Sequence, residues 1–223
     1  MEDIRANLER VRERIAQAAR RAGRRPEEIL LVAVSKTAPV ERVRAAIDAG
    51  VPALGENRVQ EAKEKIRQLA HPVPWHLIGR LQTNKARDAV ALFDLIQSVD
   101  RVDLARELDR RAGKPVDVLL EVNVGAEPSK GGFAPADLKS ALEAIAELPR
   151  LRVRGLMTIP PAASDPEQAR PSFRLLRELR DQTGLTELSM GMSADFEVAI
   201  EEGATMVRVG TAIFGARPPR APA

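Results

Sequence analysis

Cysteine is absent from the 223 residues, which excludes disulfides and thiolate metal sites. Histidine occurs only at positions 71 and 76, so a site built on several imidazoles is out of reach. Tyrosine is absent, tryptophan is single and aromatic residues make up 3% of the chain, which leaves little surface on which nucleic-acid bases could stack. No charge sign dominates. Lys and Arg total 35 against 32 Asp and Glu, a net of +3, so the charges read as a mixed solvated surface rather than a nucleic-acid stripe. No apolar run approaches the length of a membrane span. The opening MEDIRANLERVRERI is charged and periodic, unlike a secretory leader. These absences describe a cytoplasmic protein that engages neither membrane nor nucleic acid.

What is present is a regular alternation. Hydrophobic residues make up 44%, enough for a full core. Ile4, Leu8, Val11, Ile15 and Ala18 recur at helical spacing over residues 3–22, and Gly23 and Pro26 close that helix. The run Ile29 to Val34 is too continuously apolar for a half-exposed strand and reads as a buried parallel one. Strands are predicted at 29–35, 52–55, 75–79, 94–98, 116–123, 153–159, 186–190 and 205–209. Helices are predicted between them at 39–49, 58–69, 83–91, 101–112, 135–147, 166–182 and 193–202. Eight such units make an α/β fold, a single (β/α)₈ TIM-like barrel over residues 1–217, with 218–223 as a frayed tail. A two-domain open sheet is the alternative, but it needs a linker and no Pro/Gly-rich tract supplies one. Residues 211–217 are too few for a full last helix, so the N-terminal helix is expected to cover that flank.

Barrels of this kind carry their chemistry at the C-terminal ends of the strands. Lys36 follows the first strand with its stem enclosed, where burial and nearby positive charge favour a neutral, nucleophilic amine. The bland reading is a lysine snorkelling at a strand end. The segment Ser189-Met190-Gly191-Met192-Ser193 leads from the seventh strand into a helix, and Arg208-Val209-Gly210-Thr211 follows the eighth. Loops after these two strands often bind phosphate, with glycine admitting the anion close to backbone N–H groups. Turns alone would account for either glycine; both together, beside an arginine, favour an anion site. Asn57 stands at the second strand's end, either as a hydrogen-bonding group or as a helix cap. His76 reads as a core histidine or as a neighbour of a bound ring. Loop 125–133, with Lys130, reads as surface.

The segments VAVSKT (32–37), GENRVQE (55–61), WHLIGRLQTNK (75–85), SVD (98–100), EVNVGAEPSKGGF (121–133), RGLMTI (154–159), MGMSADFEVAI (190–200) and VRVGTAIFG (207–215) together resemble the YggS/PROSC family of pyridoxal phosphate homeostasis proteins. One departure is KGGF, where one small residue is expected between Lys and Gly with a different apolar residue following. The resemblance covers nearly the whole chain. It implies a barrel like the N-terminal domain of alanine racemase, with pyridoxal 5′-phosphate (PLP) as an internal aldimine on Lys36. It implies a phosphate held by Ser189, the 191–193 backbone, Arg208, Gly210 and Thr211, with Asn57 and His76 beside the ring. Metals and dedicated catalytic residues are not implied. The implied partners are PLP, amino acids and PLP-dependent apoenzymes, for a monomer or weak homodimer. Two competing readings are a PLP-dependent amino-acid racemase and a cofactor-free barrel with a Schiff-base lysine.

Overall fold

The computed structural model describes residues 3–127 and 130–215; the predicted tail at 218–223 lies outside the described residues. Helix α1 (Ile4–Arg21) starts where the Asp3 carboxylate accepts the Arg5 N–H, and it buries Leu8, Val11, Ile15 and Ala18 as one stripe. The alternation then runs β1 (Leu30–Val34), α2 (Val40–Asp48), β2 (Ala53–Glu56), α3 (Val59–Leu69), β3 (Trp75–Leu77), α4 (Ala86–Leu92), β4 (Leu95–Val99), α5 (Val102–Arg111) and β5 (Val116–Glu121). It continues with α6 (Leu138–Ala146), β6 (Leu151–Met157), α7 (Arg170–Asp181), β7 (Glu187–Ser189), α8 (Phe196–Glu201), β8 (Met206–Val209) and α9 (Thr211–Phe214). The eight strands are parallel and close into a barrel in sequence order, with β8 returning to β1 through the pairs Leu30 with Met206 and Val32 with Arg208.

Strand residues alternate between two compartments. Leu31, Ala33, Leu54, Trp75 and Leu77 face the helices and belong to the large outer core. Leu95, Leu119, Met157 and Met206 form a small separate cluster in the barrel interior. The sheet is tightest at Gly155, where a Cβ would stand 2.0 Å from the Glu187 carbonyl oxygen. Gly155→Ala is therefore expected to push β6 from β7 and to cost roughly 2–4 kcal/mol of stability, the range of a core overpacking change or worse. Chemical denaturation of the variant beside the parent measures it; a loss below ~0.5 kcal/mol, the range of a neutral surface change, contradicts it.

Several predicted boundaries move. β3 stops at Leu77 rather than Gly79. The predicted helix from 193 begins at Phe196 instead, because the Asp195 carboxylate takes the Met192 N–H at 2.6 Å and holds the preceding turn. The helix after β8 is a single turn, and α1 covers that flank as the element count implied: Asn7 Nδ2 donates to the Ile213 carbonyl at 2.9 Å, and Arg14 pairs with Glu197.

Candidate functional site

Lys36 stands two residues beyond β1, half-buried, in a turn whose next residue, Thr37, has φ +63°. A cavity of about 240 Å³ brings Lys36 and Thr37 together with Arg42, Gly210 and Thr211, and none of the described residues that line it is a carboxylate. The two glycine loops meet beside it. The Ser193 hydroxyl oxygen accepts the Gly210 N–H at 3.2 Å and the Ala212 N–H at 3.5 Å, so residues from both loops converge on one point. Gly191, at φ +89°, makes this possible: a Cβ there would lie 2.5 Å from the Ala199 Cβ and 2.8 Å from the Phe196 Cα. The Met192 amide is committed to Asp195, and its side chain is exposed.

Beneath the loops, polar side chains fill a layer of the barrel interior. The Arg208 guanidinium is buried and donates to Ser189 Oγ at 2.7 Å and to the Thr158 carbonyl at 2.8 Å. Ser189 Oγ in turn donates to Gln97 Oε1 at 2.6 Å, and Gln97 Nε2 donates to His76 Nδ1 at 2.9 Å. Burial pulls Arg208 down to about 10, against the opposing pull of Glu121 and Asp195. Glu121, at the C-terminal end of β5, is pushed up to about 6 by burial and by the nearby Asp100 carboxylate, with Arg208 and Arg80 acting the other way.

The sequence-derived residues thus divide. Lys36, Gly191, Ser193, Gly210 and Thr211 gather around the cavity and its adjoining loops. Ser189 lies one layer below: strand alternation points it inward, and its hydroxyl is already bonded to Arg208 and Gln97 rather than offered to the loops. Arg208 shares that layer. Asn57 is half-buried at the rim of a second groove with Gly79 and Arg80. It does not cap α3, whose N-cap is Arg58, and its Oδ1 is a buried acceptor with no protein partner among the described residues.

His76 stands apart from the two loops. It pairs with Leu95, the first residue of β4, and lines a cavity at the N-terminal end of the barrel with Leu30, Asp117 and Met206. The short β3 leaves it in the lower layer, away from the C-terminal loops. Burial pulls its imidazole down to about 4, so it is neutral at physiological pH. Sequence reasoning missed Gln97 and Glu121. Glu121 ends β5 two residues before Asn123, the last residue of the strand predicted at 116–123.

Glu121 carries a testable pH dependence. Its folded-state value is raised, so its contribution to stability is full below about 4.5 and is lost as pH rises through about 6. Glu121→Gln is expected to remove that part of the pH slope, up to about 2 kcal/mol between these limits. Urea unfolding of both proteins at several pH values measures it; identical slopes contradict it.

A closed parallel barrel, with a lysine after its first strand and two glycine-bearing loops that converge after its last two, defines the class of TIM-like barrels with their polar groups gathered at the C-terminal ends of the strands. The chain belongs to the family described as alanine racemase, N-terminal domain, which matches residues 6–218, and within it to the pyridoxal phosphate homeostasis proteins. It is 51% identical over 220 residues to the pyridoxal phosphate homeostasis protein of Aquifex aeolicus, covering 94% of this chain and 96% of that one. PipY of Synechococcus elongatus, solved with PLP bound, superposes with a TM-score of 0.78 at 42% identity, over 90% of this chain and 100% of PipY. Alanine racemase of Clostridium difficile shares the fold alone: its TM-score is 0.76 at 18% identity, over 97% of this chain and 57% of the racemase.

Proposed function

We propose that this protein binds PLP covalently on Lys36 and serves PLP and amino-acid homeostasis in the cytoplasm, without a dedicated catalytic turnover. The observation that carries the reading is the cavity that Lys36 lines together with Gly210 and Thr211. Relatives named for PLP homeostasis and the PLP-bound PipY support it. When bound, PLP supplies an aldehyde that condenses with a lysine amine and a phosphate dianion that needs fixed donors. The chain's residues fit both demands. Ser193, Gly210 and Thr211 hold the phosphate, with Gly191 and the Met192 turn shaping the loop. Arg208 and Ser189 form a polar, positively charged floor, and the unpartnered Asn57 oxygen stands at the rim. His76 takes no part. The binding unit is the barrel over residues 1–217, acting as a monomer or weak homodimer, with amino acids and PLP-dependent apoenzymes as its exchange partners.

One observation favours a second reading, an amino-acid racemase. Exchange of an α-proton with inversion needs an acid/base group on each face of the α-carbon. Lys36 serves one face. The sequence contains no Tyr or Cys, and His76 is neutral at the far end of the barrel. Glu121, held near 6 at the C-terminal end of β5, is the candidate for the other face, although it does not line the Lys36 cavity. It is bound into the field of Arg208, however, and the open mouth leaves an α-carbanion exposed to water. Incubation of the PLP-loaded protein with single amino-acid enantiomers in deuterated water is expected to show exchange far below ~1 s⁻¹, the low end of ordinary enzymes. Faster inversion that is lost in both Lys36→Ala and Glu121→Gln would establish the racemase reading instead.

A further inference from the structure

A buried ionic cluster lies directly behind the Lys36 turn, on the helix side of the barrel wall. Lys65 of α3 and Glu56 at the end of β2 have side chains 6% and 0% exposed. The Lys65 ammonium has three donors and finds three acceptors: the Ser35 carbonyl at 2.6 Å, Glu56 Oε1 at 2.6 Å and Glu61 Oε1 at 2.7 Å. The same two carboxylate oxygens bind the turn itself. Glu56 Oε1 accepts from Ser35 Oγ at 2.7 Å, and Glu61 Oε1 accepts from the Thr37 N–H at 2.6 Å. The residue before Lys36 is thus held at its hydroxyl and its carbonyl, and the residue after it at its amide. Thr37 is β-branched and sits at φ +63°, a conformation such residues rarely adopt without an outside restraint. Burial pushes the Glu56 carboxyl up, and the Lys65 charge and its hydrogen bond act against that, so cation and carboxylate depend on each other. A buried charge cluster of this kind adds little net stability over an apolar filling. Its bonds to Ser35 and Thr37 instead fix the peptide groups on either side of one lysine.

We infer that Lys65, Glu56 and Glu61 form a clamp that positions the Lys36 amine for bond formation with the PLP aldehyde. The inference rests on the reading that Lys36 holds PLP. In that condensation the Lys36 nitrogen bonds to the aldehyde carbon and the aldehyde oxygen leaves as water, so the nitrogen must approach along a narrow set of directions. A turn free to relax from the αL conformation at Thr37 would swing the Lys36 stem. Phosphate capture by Ser193, Gly210 and Thr211 involves none of these residues, so the clamp acts on the covalent step and leaves docking alone.

That separation gives the test. Pyridoxamine 5′-phosphate has the same ring and phosphate but an amine where PLP has its aldehyde, so it docks without bonding to lysine. Covalent PLP uptake is followed by absorbance after rapid mixing, and pyridoxamine 5′-phosphate affinity by calorimetry, for Glu61→Ala, Glu61→Gln and Lys65→Met. Glu61→Ala and Lys65→Met are expected to slow PLP bonding at least ~10-fold, the effect of a displaced reacting group, with pyridoxamine 5′-phosphate affinity unchanged within about twofold. Glu61→Gln keeps an oxygen for the Thr37 N–H and is expected to recover most of the lost rate. Parallel loss for both ligands, no loss for either, or no rescue by Glu61→Gln would overturn the clamp. Should Lys65→Met fail to fold, the two Glu61 variants decide by the same criteria. A parent protein that forms no borohydride-reducible bond with PLP would refute the PLP reading itself, a distinct result.

Discussion

Lys36→Ala is expected to remove the visible absorption of the PLP-loaded protein and to leave no borohydride-fixed adduct. The substitution deletes the one amine that faces the cavity of Gly210 and Thr211. Phosphate donors on the last two loops remain, so PLP still docks, but by charge and hydrogen bonds alone. Affinity is expected to fall ~100-fold or more, roughly 3 kcal/mol. Pyridoxamine 5′-phosphate, which never bonded to the amine, is expected to lose less than about threefold. The fold should persist, because Lys36 is only half-buried and the Ser35 and Thr37 contacts do not use its side chain. Equal occupancy of a reduced adduct on another lysine in this variant, such as Lys65 or Lys85, would move the attachment point elsewhere.

Gly191→Ala should damage both binding and fold. At φ +89° a side chain is strained regardless of space, and here there is none: the new carbon would meet Ala199 Cβ at 2.5 Å and the Phe196 backbone at 2.8 Å. Phe196 is the first residue of α8 and is fully buried, so the helix must shift rather than a flexible side chain. That shift separates Ser193 from the Gly210 and Ala212 amides it now bridges. Stability is expected to fall by roughly 2–4 kcal/mol. PLP affinity should drop at least ~30-fold, about 2 kcal/mol, while pyridoxal, lacking the phosphate, loses far less. Thermal melting and parallel titrations of the two ligands measure this. Equal losses for PLP and pyridoxal would show that the loop pair does not hold the phosphate.

Much of this architecture was readable from residue order. Ile29 to Val34 announced a buried strand, and glycine and polar residues marked the C-terminal end of each strand, which placed Lys36, Gly191, Ser193, Gly210 and Thr211 on one face. Inside the barrel the sequence was less explicit. Alternation alone points Ser189 and Arg208 inward, but the bond from Ser189 to Gln97, 92 residues away in the chain, and that from Arg208 to the Thr158 carbonyl, 50 residues away, depend on closure of the sheet. The depth of His76 was not legible in the sequence because depth in a barrel is set by strand stagger, and β3 is only three residues long. The Lys65 cluster was half visible: Glu61 and Lys65 stand one helical turn apart, an ordinary surface pairing until β2 brings Glu56 beneath them.

The central claim is that one lysine, Lys36, holds the cofactor in a cradle made by the last two loops. The most direct measurement is to load the parent protein with one equivalent of PLP, record its absorption, reduce with borohydride and map the modified peptides by mass spectrometry. A visible band that collapses on reduction, with the added mass confined to the peptide carrying VAVSKT, is the predicted result. A label spread over several lysines, or a protein that stays colourless and unmodified at that stoichiometry, would contradict the account.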